Sequence, residues 1–366
     1  MDGLITIFRQ VADPRDVNAR HDLASILFVA LAATLCGAKT CVDIADFAAA
    51  REKELSQIVD LPHGAPSHDT FSRVFRLLDP AQLETAFGRC MAALRQALGI
   101  GGPKGVVAID GKALRRGYEA GKAFMPPLMV GVWDSQTRLS ITQARAPDGA
   151  EVKTTLDLLK ALSLKGCLVT ADALHAHPAM AKAVRKAGAH YALGLKANRP
   201  KLLAHVQAAF DAAGDGLPVH QTLETRHGRR ELRAASVLPA SKLAADPGWT
   251  DLAAIGRIQA ERTKDGRTAA STRYILLSRK LSPAKLAQVV RAHWSIENHL
   301  HWTLDVVFDE DDARSRKNHA PENLAVIRRL AMGMLSSHPD TKSISRKMKI
   351  ACWQQAFFFE LFAHMQ

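Results

Sequence analysis

The chain has 366 residues, 47% apolar and 23% charged, a balance that supports a sizeable buried core and excludes general disorder. Its 49 lysines and arginines against 36 acids leave a formal charge of +13, which favours a polyanionic partner, nucleic acid ahead of an anionic membrane surface. The longest apolar stretch, Leu23 to Gly37, is too short to span a bilayer, the first twenty residues lack a secretory core, and the five cysteines are scattered without a Cys-x-x-Cys pair, so a cytoplasmic protein with reduced thiols is expected.

From Asp22 to about Leu98 every apolar pattern is helical, which predicts an all-α N-terminal domain over residues 1–100. Within it, Ser67-His68-Asp69-Thr70 precedes a helix carrying Arg73 and Arg76. That arrangement suits a DNA-binding helix-turn-helix and equally a plain helix pair. The Gly101-Gly102-Pro103 run marks the next boundary, after which the grammar changes to strands. GVVAID, PPLMVGVWD and RLSITQARA read as strands, VKTTLDLLKAL as a helix and CLVTAD as a buried strand. HPAMAKAVRKAGA, HYALGLK and RPKLLAHVQAAF continue as helix, strand and helix. The order β-β-β-α-β-α-β-α describes a ribonuclease H-like α/β core beginning over residues 101–218, with its first and fourth strands side by side.

Residues 219–280 lose the helical period and read as a β-rich insertion. Its first turn carries Arg226, His227, Arg229, Arg230 and Arg233, and Lys264-Asp265-Gly266-Arg267 forms a second basic turn. Charges of one sign on a projecting element favour contact with phosphate. Helical patterns return from Pro283 to about Val307 and from Pro321 to about Leu335, so residues 281–366 are expected to supply C-terminal helices that complete the core.

Asp110 ends the strand GVVAID and Asp172 ends CLVTAD, an interval of 172 − 110 = 62, so neighbouring parallel strands would release both carboxylates at one edge. Glu297, on the helix following the insertion, is the third candidate, ahead of Asp305 and Glu310, the latter expected in free solvent beyond the helix end. Three hard oxygen donors suit Mg²⁺ or Mn²⁺, and two such ions about 4 Å apart would activate a nucleophile and stabilise the leaving oxygen of a phosphodiester. Lys112, Arg115 and Arg116 follow Asp110, and Lys196 and Arg199 lie at the mouth of a later strand, where they would offset phosphate charge. Arg291, His293 and His301 on the Glu297 helix are candidate phosphate contacts, and Trp294 is a candidate base-stacking group or a core residue.

The strings LASILFVALAATLCGAKT, LPHGAPSHDTFSRVFRLLDP, VAIDGKALR, LVTADALH, YALGLKANRPKL and above all HWSIENHLHWTLDVVFDED resemble the H-repeat-associated group of bacterial insertion-sequence transposases, over nearly the whole chain. The resemblance implies a DDE transposase in which Asp110, Asp172 and Glu297 form the metal-binding triad. It further implies a multimer, expected here as a homodimer, acting on double-stranded DNA at element ends and target. The sequence departs from the Tyr-x₂-Arg-x₃-Glu-x₆-Lys signature of related enzymes, offering Val290, His293 and Leu304 around Glu297, and it carries His177 and Arg199 where glutamines are usual. The carboxylates alone also suit a nuclease or resolvase of the same fold, or a silent DNA-binding descendant.

Overall fold

The computed structural model describes residues 2–118, 125–226, 228–243 and 248–363, the side chains of Asp215 and Arg226 excepted. Helices come first: α1 (Asp2–Phe8), α2 (Leu23–Leu35), α3 (Cys41–Ala50), α4 (Glu52–Leu55), α5 (His68–Leu77) and α6 (Pro80–Ala97). Their starts follow from local chemistry. Asp22 and Ser67 accept from the backbone amides of Ser25 and Thr70, Thr40 and Asp43 form a reciprocal capping box, and Pro80 opens α6 behind the Asp79 cap. α2 is apolar all round and buried at every position, so it needs cover on all sides.

That cover comes from both ends of the chain. Phe28 of α2 shares one apolar cluster with Leu4, Phe71, Leu330, Phe358 and Phe362, which joins α1–α6 to α12 (Ala320–Ser337), α13 (Ile344–Trp353) and α14 (Gln355–Glu360). The first hundred residues therefore do not fold around a core of their own, and the C-terminal helices close this helical layer more than they complete the sheet.

The sheet has nine strands in the order β3-β2-β1-β4-β5-β9-β8-β7-β6. The strands are β1 (Val106–Ala113), β2 (Leu128–Asp134), β3 (Leu139–Ala146), β4 (Leu168–Ala171), β5 (His190–Leu195), β6 (Val219–Arg226), β7 (Arg229–Pro239), β8 (Ala254–Lys264) and β9 (Arg267–Leu277). β1 pairs antiparallel with β2 and parallel with β4, and β4 pairs parallel with β5. Residues 219–280 do not stand apart as an insertion. The edge of β5 accepts β9 in antiparallel register, so this stretch extends the same sheet. The β8–β9 turn is the two-residue Asp265-Gly266, both at positive φ (51° and 74°), as a tight hairpin requires.

Strand parity assigns the faces. Ala108 points into the helical layer with Ile296 and Leu300, whereas Val107 and Ile109 point to the opposite face. There they meet the apolar sides of α7 (Glu151–Ala161), α8 (Pro178–Lys186) and α9 (Pro200–Ala213). The helix expected from Pro283 to Val307 is interrupted. α10 (Pro283–His293) is followed by a π-helical segment, Ile296–His301, and then α11 (Trp302–Val306). Ser135 Oγ donates to the Ala292 carbonyl at 3.0 Å and Trp133 Nε1 to Ser295 Oγ at 3.1 Å, pinning the chain to β2 where the helix widens.

Candidate active site

β1 and β4 build the site, and Asp110 does not end its strand as expected: β1 continues to Ala113 along β2, while Asp172 directly follows the end of β4. β1 and β4 pair as Val106↔Leu168, Val107↔Val169 and Ala108↔Thr170, an offset of 168 − 106 = 62. Asp110 and Asp172 carry the same offset, so both carboxylates stand at one level of the sheet edge, on the face shared with Ala108 and Thr170. Asp172 follows β4 directly and accepts the Leu174 amide at 2.9 Å, which fixes its carboxylate at the head of a short 3₁₀ turn, Ala173–His175.

Glu297 approaches the same face from the π-helical segment. His293 Nδ1 meets Thr170 Oγ1 at 3.0 Å, tying the end of α10 to β4 two residues before Asp172. The electrostatics record the convergence. Burial, then the charges of Glu297, Glu151 and Asp172, push the Asp110 carboxyl up to about 7, against the hydrogen bond from the Gly111 amide. Glu297 is also raised, by burial first and by Asp172, while Arg273 and Lys196 work the other way.

Glu151, at the first turn of α7, joins this group without any signal in the sequence that singles it out. Gly111 lies on the opposite parity from Asp110, and a Cβ there would sit 2.7–2.9 Å from the Glu151 carboxylate. Glycine at this position lets that carboxylate close on the β1 backbone. His175 Nε2 meets Glu151 Oε1 at 3.1 Å, with the imidazole almost wholly buried.

The basic residues divide sharply. Lys112, expected to meet phosphate, is buried and paired with Asp305 at 2.5 Å and Asp311 at 3.0 Å. Arg115 pairs with Asp311 at 3.3 Å and Arg116 with Asp312 at 2.8 Å, though both arginines remain exposed. His293 and His301 also differ from expectation. Burial drives His293 down to about 4, and drives His301 down to about 3 with Arg329 and Lys112 adding to it, which favours the neutral imidazole in both. His301 Nδ1 instead stands 3.6 Å from Asp110 Oδ2. Glu310 is not solvated: it is fully buried against Arg329 at 2.9 Å.

Lys196 and Arg199 are exposed near the acidic edge, and Arg199 Nε donates to the Ala176 carbonyl at 3.0 Å. On the other side a groove of about 680 Å³ opens between α10 and the extended sheet, walled by Arg229, Arg233, Arg273, Arg291, Trp294 and Glu297. Arg273 stacks over Trp294 with its guanidinium 4.5 Å from the ring centre. Arg291 pairs with Glu224, and Glu231 pairs with Arg229 and Arg233, so acids already hold several of these arginines. Arg230 is exposed at the hairpin, while the Arg226 side chain and His227 lie outside the described residues.

Carboxylates at one sheet edge beside an arginine-lined groove define a class, an enzyme that acts on polynucleotide phosphodiesters. The chain belongs to the transposase DDE domain family: residues 101–334 match that domain's model and residues 5–91 match the DDE_Tnp_1-associated model. It is a DNA transposase of the DDE type. The protein YbfL of Escherichia coli (strain K12) is 30% identical over 359 residues, covering 94% of this chain and 93% of that one. YhhI of the same strain, named as an H repeat-associated candidate transposase, is 29% identical over the same shares. A solved piggyBac transposase synaptic complex with hairpin DNA aligns at a TM-score of 0.47 and 12% identity, over 99% of this chain and 80% of that one.

The donor set fits a divalent metal ion. Asp110, Asp172 and Glu297 offer only hard carboxylate oxygens, and the burial that chiefly raises Asp110, with the neighbouring carboxylates adding to it, is a cost that a bound cation would offset. Among the described residues no three acid, histidine or cysteine side chains already stand in metal-holding geometry.

Proposed function

We propose that this transposase cuts DNA at the ends of its own insertion sequence and joins the exposed 3′-hydroxyl to target DNA by in-line transesterification, with Asp110, Asp172 and Glu297 as the triad of a ribonuclease H-like core. The shared offset of 62 between the β1–β4 register and the two aspartates carries the reading, and the order β3-β2-β1-β4-β5 supports that core. Mg²⁺ or Mn²⁺, as two ions, would supply activation of water or the 3′-hydroxyl and stabilisation of the leaving oxygen. The protein's own contribution is to hold the acids at one level and to exclude solvent from Asp110.

Arg115, Arg116, Lys196, Arg199, Arg229, Arg230, Arg273 and Arg291 are the proposed backbone contacts, and Trp294 the proposed stacking group for an unpaired base. Residues 1–100 would add DNA contacts, and a homodimer would bring two element ends together in the bacterial cytoplasm. Asp110→Asn, Asp172→Asn and Glu297→Gln should each abolish Mg²⁺-dependent cleavage of a duplex carrying an element end while keeping end binding. Joining of the cut end to a plasmid separates a transposase from a nuclease. Normal cleavage by Glu297→Gln, with Asp305→Asn folded but dead, would move the third ligand to Asp305.

A further inference from the structure

The proposed triad uses one face of the sheet edge, and the structure holds a further acid on the other. Gly111, next to Asp110 on β1, has no side chain, and the space its Cβ would take is filled by the Glu151 carboxylate, whose Cδ, Oε2 and Oε1 lie 2.7, 2.8 and 2.9 Å from that point. Real Cβ atoms do not tolerate such contacts, so any other residue at 111 displaces Glu151 or β1. The helix that carries Glu151 begins right after the 3₁₀ turn Pro147–Gly149, which delivers its first residue to the active edge.

Glu151 is also held. Its Oε1 takes the Nε2 hydrogen of His175 at 3.1 Å, and its side chain is only 14% exposed. His175 ends the turn that Asp172 caps, so one three-residue turn orients Asp172 on one side and clamps Glu151 on the other. The His175 Nδ1 atom is buried and has no partner among the described residues, so the ring's one hydrogen bond in the described structure is spent on this acid. A carboxylate that served only to favour the α7 N-terminus needs neither a buried imidazole nor a missing Cβ on the neighbouring strand.

We propose that Glu151 is a fourth carboxylate of the catalytic centre, clamped by His175 and admitted by Gly111, and that it gives the ion bound by Asp110 a further oxygen donor from the opposite face of the sheet. The proposal rests on the reading of Asp110 as a metal ligand. Partner histidines that orient a ligating carboxylate are a common device for fixing such donors.

The test uses the full chain and Mn²⁺ alone, without DNA, with bound ion counted from the loss of the free Mn²⁺ EPR signal. Glu151→Gln should weaken Mn²⁺ binding roughly tenfold or more, and His175→Gln should do so by a smaller factor within the ~10–100-fold range seen for orienting partners. Gly111→Ala should reproduce the Glu151→Gln defect. Glu151→Gln that binds Mn²⁺ as the wild type does, with Asp110→Asn defective beside it, overturns the proposal and leaves the triad standing. Unchanged Mn²⁺ binding in both variants overturns the triad as well. Should Glu151→Gln fail to fold, Gly111→Ala decides: folded and normal in Mn²⁺ binding, it refutes the role, and folded and defective, it supports it.

Discussion

Replacing Glu310 by glutamine should destabilise the protein strongly without touching its chemistry. Glu310 is fully buried, and both its oxygens take guanidinium hydrogens from Arg329, at 2.9 and 3.3 Å. Arg328 is buried on the same helix, its pKa pushed down by burial while Glu310 works to hold it charged. One carboxylate thus balances two interior guanidiniums. Breaking a buried ion pair from one side costs about 3–5 kcal/mol, because the surviving charge keeps its desolvation penalty and loses its partner. At about 4 kcal/mol the folded-to-unfolded ratio falls roughly a thousandfold, a large part of the 5–15 kcal/mol typical of a native domain. Urea titration should show that loss for Glu310→Gln, and Glu310→Gln/Arg329→Met should recover most of it by removing the orphaned charge along with its partner. A Glu310→Gln protein within about 1 kcal/mol of wild type would refute the reasoning. A stable protein that no longer cleaves DNA would make Glu310 catalytic.

Burial pushes Glu84 up to about 7, with the Glu322 charge adding to it and Arg145 opposing. The folded chain therefore binds this proton more tightly than the unfolded one, so its contribution to stability grows as pH falls from about 7 towards 4.5 and is absent above it, by about 3 kcal/mol as an order of magnitude. The difference in unfolding free energy between wild type and Glu84→Gln should follow that window, and a difference flat from pH 8 to about 5 counts against it. Gly256 faces Leu286 of α10, where a Cβ would come within 2.6 Å of Cδ2. Gly256→Ala should cost about 1–3 kcal/mol by overpacking, and Leu286→Ala in the same chain should remove that increment; equal costs of Gly256→Ala with and without Leu286 would disprove the contact. Arg230→Gln, Arg273→Gln and Arg291→Gln together should flatten the plot of log K against log salt by about 0.9 for each phosphate no longer neutralised, and an unchanged slope takes the groove out of the DNA path.

Asp110 and Asp172 were legible because each closes a short apolar run, and parallel pairing of two such runs puts their ends together. The placement of β4 beside β1 was expected by analogy from the order of strands and helices and not from any local signal, and the register shows that pairing. Other features depend on contacts that no window of sequence contains. Lys112 meets Asp311 across 199 positions, so a lysine two residues after Asp110 reads as a phosphate contact when it is a buried staple. Glu151 reads as an ordinary acid at a helix start, since its proximity to Asp110 depends on a glycine in another strand. The pairing of β9 with β5 is hidden for a related reason: hairpins announce their own turns, but nothing local announces which edge they will join.

These pairings also change what the charge of +13 means. Asp305, Asp311 and Asp312 engage Lys112, Arg115 and Arg116, so the basic run after Asp110 holds β1 to the acidic loop and carries little net field. In the groove Glu224 and Glu231 stand between arginines in the same way. Exposed pairs such as Arg116 with Asp312 and Arg291 with Glu224 are worth at most about 1 kcal/mol, so a phosphate can take those arginines at small cost, whereas the buried Lys112 and the buried Glu231 hold their partners more firmly. The proposed DNA path would therefore depend on which cations can exchange partners and less on where positive residues are densest. By that criterion the path we propose would run along Arg291, Arg273 and the β6–β7 hairpin into Glu297.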